Sequence, residues 1–181
     1  MFPPKIVISG AAGGEAREEG MRLAYHVGQE IAVRGGVVVT GATNGIPLDA
    51  ARGAKSMEGA VFGFSPASSL KEHVKKYRLP VTYHDQVFFT GYDYAGRDVL
   101  LVDTADAVIE ISGRIGTLHE FTHAFERDKI IGVLTHSGGT IDQIPVILEQ
   151  AHRGMRKVVI SSDPVELVEK VFALLEEERL R

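Results

Sequence analysis

Seven short apolar runs, rich in Val and Ile, recur along this chain, and stretches with helical spacing lie between them. The runs occupy residues 5–9, 37–40, 60–64, 86–90, 107–112, 130–134 and 157–161. Continuous apolar runs of this length are what strands buried on both faces require. From about Arg17 to Arg34, Met21, Ala24, Tyr25, Gly28, Ile31 and Ala32 share one helical face, and Gly35-Gly36 ends the segment. A shorter helix is expected after Pro47, a polar helical connection over 65–80, and further helices over 96–105, 116–127 and 142–153. The last helix has the fullest start signal, with Asp163 as N-cap, Pro164 at the first position and Glu166 two residues on. Strict strand–helix alternation predicts an α/β fold, a mostly parallel sheet of about seven strands with helices on both faces. At 181 residues the chain is one domain, 1–181, and falls short of the roughly 250 residues of a closed eight-fold barrel. An open, doubly wound sheet is therefore expected.

Open sheets of this kind bind ligands at the carboxyl ends of their strands. Three of the turns there are glycine-rich: "SGAAGG" (9–14), "TGATNG" (40–45) and "SGRIGT" (112–117). Glycine lets backbone N–H groups approach a ligand, and a helix N-terminus adds partial positive charge. Gly10, Gly41, Gly45, Gly113 and Gly116 are thus candidates for phosphate or nucleotide binding. Glycines also serve tight turns and close helix packing, so the force of the signal lies in three such turns at one edge. None is a P-loop or a G-x-G-x-x-G dinucleotide fingerprint. In the third turn, Thr117 offers a hydroxyl to a phosphate, and Glu120 follows about one helical turn later. Glu120 reads either as compensation of the helix dipole or as a catalytic carboxylate beside the phosphate. Arg97, 23 residues earlier (120 − 97), reads either as a surface arginine or as a guanidinium for phosphate or for Glu120.

"SGRIGTLHE" resembles the P-G-G-x-G-T-x-x-E signature of the Lonely Guy (LOG) family, long mislabelled as lysine decarboxylases. The upstream arginine matches in separation, and "VVVTGATNGIPLDAARGA" and "KIVISGAAGG" resemble the family's other strand–turn units, so the likeness covers about residues 5–150. It implies a Rossmann-like nucleotide-binding domain, usually dimeric, with no cofactor. It also implies a phosphoribohydrolase that cleaves the N-glycosidic bond of a nucleoside 5′-monophosphate to free base and ribose 5-phosphate. In that frame Arg97 and Glu120 fall at the catalytic pair, and Gly113, Gly116 and Thr117 in the phosphate loop. A carboxylate suits the positive charge that builds on the sugar as the bond breaks. The chain departs from the signature at Ser112-Gly113-Arg114: Arg114 either strengthens phosphate binding or fills the pocket. The alternative is a nucleotide-binding or sensing module without catalysis.

The same stretch contains His119-Glu120-x-x-His123, the H-E-x-x-H pattern of zinc peptidases. A third ligand would have to come from His136 or Glu149, and the metzincin continuation is absent. The strand–glycine–helix context favours phosphate, so no metal is expected, and the zinc hydrolase is the remote alternative. Upstream of Arg97, "GYDYAGRD" offers Tyr94 for stacking on a base and Asp93 for a ribose hydroxyl. A loop packing its aromatics on the sheet edge would look the same.

The net charge of −4 gives no reason to expect nucleic acid or a membrane as a partner. No apolar stretch is long enough to span a bilayer or to act as a signal peptide, and there is no cysteine. A cytoplasmic protein with a small nucleotide as ligand, forming a homodimer or higher homo-oligomer, is the expectation.

Overall fold

A computed structural model describes residues 2–13 and 18–180. Gly14, in the first glycine turn, and Arg17, at the expected start of the first helix, lie outside the described residues. The strands are β1 (Lys5–Gly10), β2 (Val37–Thr40), β3 (Val61–Ser65), β4 (Gln86–Phe89), β5 (Ala107–Gly113), β6 (Ile130–Gly139) and β7 (Val158–Ser161). The helices are α1 (Glu18–Val33), α2 (Ile46–Ser56), α3 (Leu70–Lys75), α4 (Asp93–Thr104), α5 (Ile115–Glu126), α6 (Ile144–Gln150) and α7 (Pro164–Arg179). The strands form one sheet in the order β4-β3-β2-β1-β5-β6-β7, and every pair is parallel. The chain winds outward from β1 to β4, crosses back to lay β5 beside β1, and winds outward again. The crevice at this reversal, above β1 and β5, is where such sheets take ligand.

The central strands have no exposed face; β5 is buried at all seven positions. Ile6, Ile8, Ile109 and Ile111 face a layer built from α1, α2 and α7, with Val27, Ala50 and Val168 among its contacts. Val7, Val39, Val108 and Val133 face Leu101 of α4, Phe121 of α5 and Leu148 of α6. Helices thus cover both faces, as the doubly wound pattern requires. The first two helices pack backbone to backbone. A Cβ on Gly28 would stand 2.0 Å from the Ala50 carbonyl oxygen, and one on Gly53 would stand 2.0 Å from that of Tyr25. Asp163 caps α7 by accepting the Glu166 backbone N–H at 2.8 Å, while the Glu166 carboxylate turns to Ser161 and Lys170.

Three elements differ from their sequence reading. The connection after β3 forms only the six-residue α3, capped by Ser69. The helix carrying Arg97 starts at Asp93, so Arg97 lies one turn inside it. β6 runs on to Gly139, past a register shift that pairs Gly139 with Gly113. No helix among the described residues is long and apolar enough to cross a membrane.

Candidate functional site

The three glycine turns meet at the β1/β5 crevice, and several of their glycines serve that meeting. A Cβ on Gly10 would stand 2.4 Å from both the Ile111 carbonyl oxygen and the Ile46 side chain, so Gly10 is wedged between β5 and α2. Gly45 has φ 67, a left-handed conformation that favours glycine, and a Cβ there would stand 2.4 Å from the Ala11 carbonyl oxygen. Ile46 then donates its N–H to that same oxygen at 3.0 Å, joining the second turn to the first. Gly113 is closed over by Thr117, whose Cβ would be 2.3 Å away from an added methyl.

What remains open is a cavity of about 190 Å³. Its floor is Ile8, Ser9 and Gly10 of β1; one wall is the turn after β2, with Gly41, Thr43 and Pro47. Tyr94, Arg97 and Asp98 of α4 close the same side, and Arg114, Gly116, Thr117 and Glu120 form the opposite wall. Eight of the eleven residues singled out from the sequence therefore line one space. Gly45 and Gly113 stand behind it as packing glycines. Asp93 lies elsewhere and accepts a short hydrogen bond from the Tyr77 hydroxyl.

Helix α5 enters this space without a side-chain cap and without an acidic residue in its first turn. Its first N–H groups have no intrahelical partner by construction, and they carry the positive end of the helix dipole. Gly116 has open space around its α-carbon, with nothing within 4 Å of an added Cβ. Arg114 stands exposed at the mouth rather than filling the cavity, and its carbonyl accepts the Thr140 hydroxyl at 3.0 Å.

Arg97 is 4% exposed. Its Nε donates to Asp98 Oδ1 at 3.0 Å and its Nη1 to the Phe64 carbonyl at 3.0 Å. Its guanidinium carbon lies 6.0 Å from the centre of the Tyr94 ring. Glu120 is buried and accepts a short hydrogen bond from the Ser9 hydroxyl. Burial, and then the negative charge of Asp98, push the Glu120 carboxyl up to about 8 against the pull of Arg97. It is therefore mostly protonated at neutral pH.

A residue not singled out in the sequence lies beneath. Glu110 of β5 is fully buried, and neither carboxyl oxygen has a hydrogen-bond partner among the described residues. Burial first, and the Glu120 charge next, hold it well above the ordinary carboxylate range against the pull of the nearby Ser9 hydroxyl, which itself bonds Glu120. An acid inside the otherwise apolar run 107–112 was its sequence signal.

The H-E-x-x-H residues do not converge. His119 Nδ1 lies 3.4 Å from Asp98 Oδ2, and His123 Nε2 lies 3.1 Å from Asp103 Oδ1. His136 lines a separate cavity between α1 and the start of α7. Among the described residues no three His, Cys, Asp or Glu side chains form a group that could hold a metal ion.

The model of the SLOG cluster4 family matches residues 3–168. A protein of Archaeoglobus fulgidus, described only as uncharacterized, is 33% identical over 153 residues, covering 84% of this chain and 87% of that one. Among solved structures, the molybdenum cofactor binding protein of the phototrophic bacterium Rippkaea orientalis superposes with a TM-score of 0.79. It is 27% identical, and the match covers 98% of each chain. The molybdenum cofactor carrier protein of Chlamydomonas reinhardtii, 20% identical, shares the fold at a TM-score of 0.77 over 96% of this chain and 99% of that one.

Proposed function

The chain belongs to the SLOG cluster4 family, in keeping with its LOG-like motifs, and from that membership we propose that it binds a phosphorylated heterocycle. The ligand class is a nucleoside 5′-monophosphate or a pterin of the molybdenum-cofactor type. The observation that carries this reading is the uncapped start of α5, which opens with Gly116 and Thr117 onto the cavity. Backbone N–H groups there, with the Thr117 hydroxyl and the Arg114 side chain, hold the phosphate. Across β1, Tyr94 offers a ring face and Arg97 a buried cation toward the heterocycle.

A molybdenum cofactor fits this donor set. Its metal is ligated by the pterin's own dithiolene, so the protein need supply no metal-binding cluster. What it requires of the chain is a phosphate seat and a shelf for the ring. In this reading the cofactor is cargo, and the residues bind and orient it.

Hydrolysis of an N-glycosidic bond is the second reading, and the raised Glu120 carboxyl at the cavity favours it: an acid that keeps its proton to about 8 can protonate a departing base. Binding ranks first for two reasons. Glu120 carries little negative charge at neutral pH to stabilise a cationic sugar. Arg97 already spends its guanidinium on Asp98 and the Phe64 carbonyl. In either case we propose a homo-oligomer, supported by the exposed apolar side chains Phe88, Val99 and Leu100; light scattering on the purified protein tests it.

The deciding experiment incubates the purified protein with AMP, GMP and a pterin phosphate. Binding is followed by calorimetry and free base by chromatography. Saturable binding with no base released supports the binding protein. Release of base that stops in Glu120→Gln moves the function to hydrolysis, and neither result removes both.

A further inference from the structure

Glu110 and Ser9 are register partners on β5 and β1, on the same sheet face as Val108 and Val7. Ser9 donates to Glu120, which descends from α5. From α4, Asp98 adds its negative charge to the surroundings of both glutamates. Three carboxyls thus share one buried space. Among the described residues the buried cation facing them is Arg97, and it is bound to Asp98. His119 Nδ1 lies 3.4 Å from Asp98 Oδ2, and Arg114 stands at the mouth of the cavity.

Such a cluster has few charge states open to it. A buried carboxylate with neither cation nor donor is very costly. Two carboxyls crowded together do not both ionise. Asp98 with Arg97 makes a neutral pair, so the remaining two acids must hold protons for the floor to be neutral. Glu110, with neither oxygen partnered, is the one that keeps its proton throughout. Glu120, in contact with the cavity and with Ser9, is the one able to release it.

We propose that an anionic ligand enters this cavity together with one proton carried on Glu120, so that ligand binding and protonation of the cavity floor are thermodynamically linked. The proposal rests on the binding reading given above. Ionised Glu120 would set a negative charge against the phosphate that α5 attracts, and a bound phosphate in turn raises the proton affinity of Glu120. Affinity for a phosphate dianion is then flat while Glu120 is protonated and falls about tenfold per pH unit once it is not. Because Glu120 is pushed up to about 8, the break lies in the mildly alkaline range. A carrier built this way loads at neutral pH and releases its cargo when the floor loses its proton.

Two measurements test this. Infrared spectra of the ligand-free protein, taken from pH 6 to pH 10, report protonated carboxyls through their acid C=O band. The wild type should show one component that fades through about pH 8 and one that does not. Glu120→Gln should lack the fading component and Glu110→Gln the constant one. Calorimetry of AMP binding at pH 8.5, repeated in buffers of different ionisation enthalpy, should give an uptake approaching one proton in the wild type and none in Glu120→Gln. Binding of AMP that stays undiminished to pH 9.5, or that takes up no proton, overturns the linkage and leaves the binding reading standing. A constant band that survives in Glu110→Gln overturns the proton assignment. If AMP, GMP, a pterin phosphate and inorganic phosphate all fail to bind at pH 7 while the infrared titration is as expected, the binding reading itself has failed, and the linkage with it.

Discussion

The guanidinium of Arg97 lies against the α-carbon of Gly41: a methyl group built there would stand 1.9 Å from Nη1. The second glycine turn and α4 are therefore fitted to each other through one hydrogen atom. In Gly41→Ala the guanidinium must leave the Phe64 carbonyl and loosen its hold on Asp98. The expected cost, for a buried carboxylate losing its partner, is about 3 kcal/mol in urea unfolding. AMP affinity should fall at least tenfold. Unchanged values for both would show that Arg97 moves aside without consequence.

Glycine has opposite duties at two other positions, and alanine scanning separates them. Gly28→Ala drives a methyl into the Ala50 carbonyl at 2.0 Å and should cost about 2–3 kcal/mol with little effect on ligand binding beyond it. Gly116→Ala meets no protein atom within 4 Å and should leave stability within about 0.5 kcal/mol of the wild type. There the methyl projects where phosphate is expected, so the loss should appear in affinity alone.

Stability should respond to pH through Glu120. Its carboxyl is raised in the fold, from an ordinary 4.5 to about 8. Its contribution is fully present below 4.5 and is lost as pH rises toward 8. Glu120→Gln escapes this loss. Relative to the wild type it should gain up to about 4 kcal/mol on going from pH 5 to pH 8, at about 1.4 kcal/mol per unit. Denaturant melts of both proteins at the two pH values measure the difference, and parallel curves would contradict a protonated Glu120.

His84 should act in the acid range. Its Nδ1 donates to the Thr82 carbonyl at 2.8 Å, and its Nε2 accepts from the Thr40 hydroxyl at 2.7 Å, with that hydroxyl also accepting the Ala42 N–H at 3.1 Å. This arrangement needs the neutral ring, and burial pushes its protonation below the ordinary 6.5. The stability it contributes is present above 6.5 and lost as pH falls below that value. His84→Gln should cost about 1–2 kcal/mol at pH 8, and the gap to the wild type should narrow toward pH 5.

The scaffold was legible because its signals are local. Each strand is a short apolar run, so periodicity locates all seven, and Asp163 with Pro164 marks the start of α7. Where local signals were weak, the reading slipped. α3 stops at Lys75 although Lys76 to Leu79 are also helix formers, because Arg78 takes a left-handed φ of 55 two residues before Pro80. β6 continues past Thr135 because Gly139 packs on the Gly113 carbonyl from across the sheet, a contact between distant residues. The site divides the same way. Turn glycines and the Thr117–Glu120 spacing were visible on one strand–turn–helix unit. Asp98 of α4 set beside Glu120 of α5, Ser9 as donor to Glu120, and Glu110 beneath them depend on β1, β5, α4 and α5 meeting, which no single stretch encodes.

The strand order has a consequence for synthesis. Every residue that lines the cavity precedes Phe121, so the ribosome has added the last of them about two-thirds of the way through these 181 residues. Yet β5, which carries Glu110, is then still an edge, because β6 on its far side is not yet made. Until that neighbour emerges, water can reach the strand whose burial keeps the floor protonated. A nascent chain therefore holds all the cavity's letters before it holds the burial that gives them their chemistry.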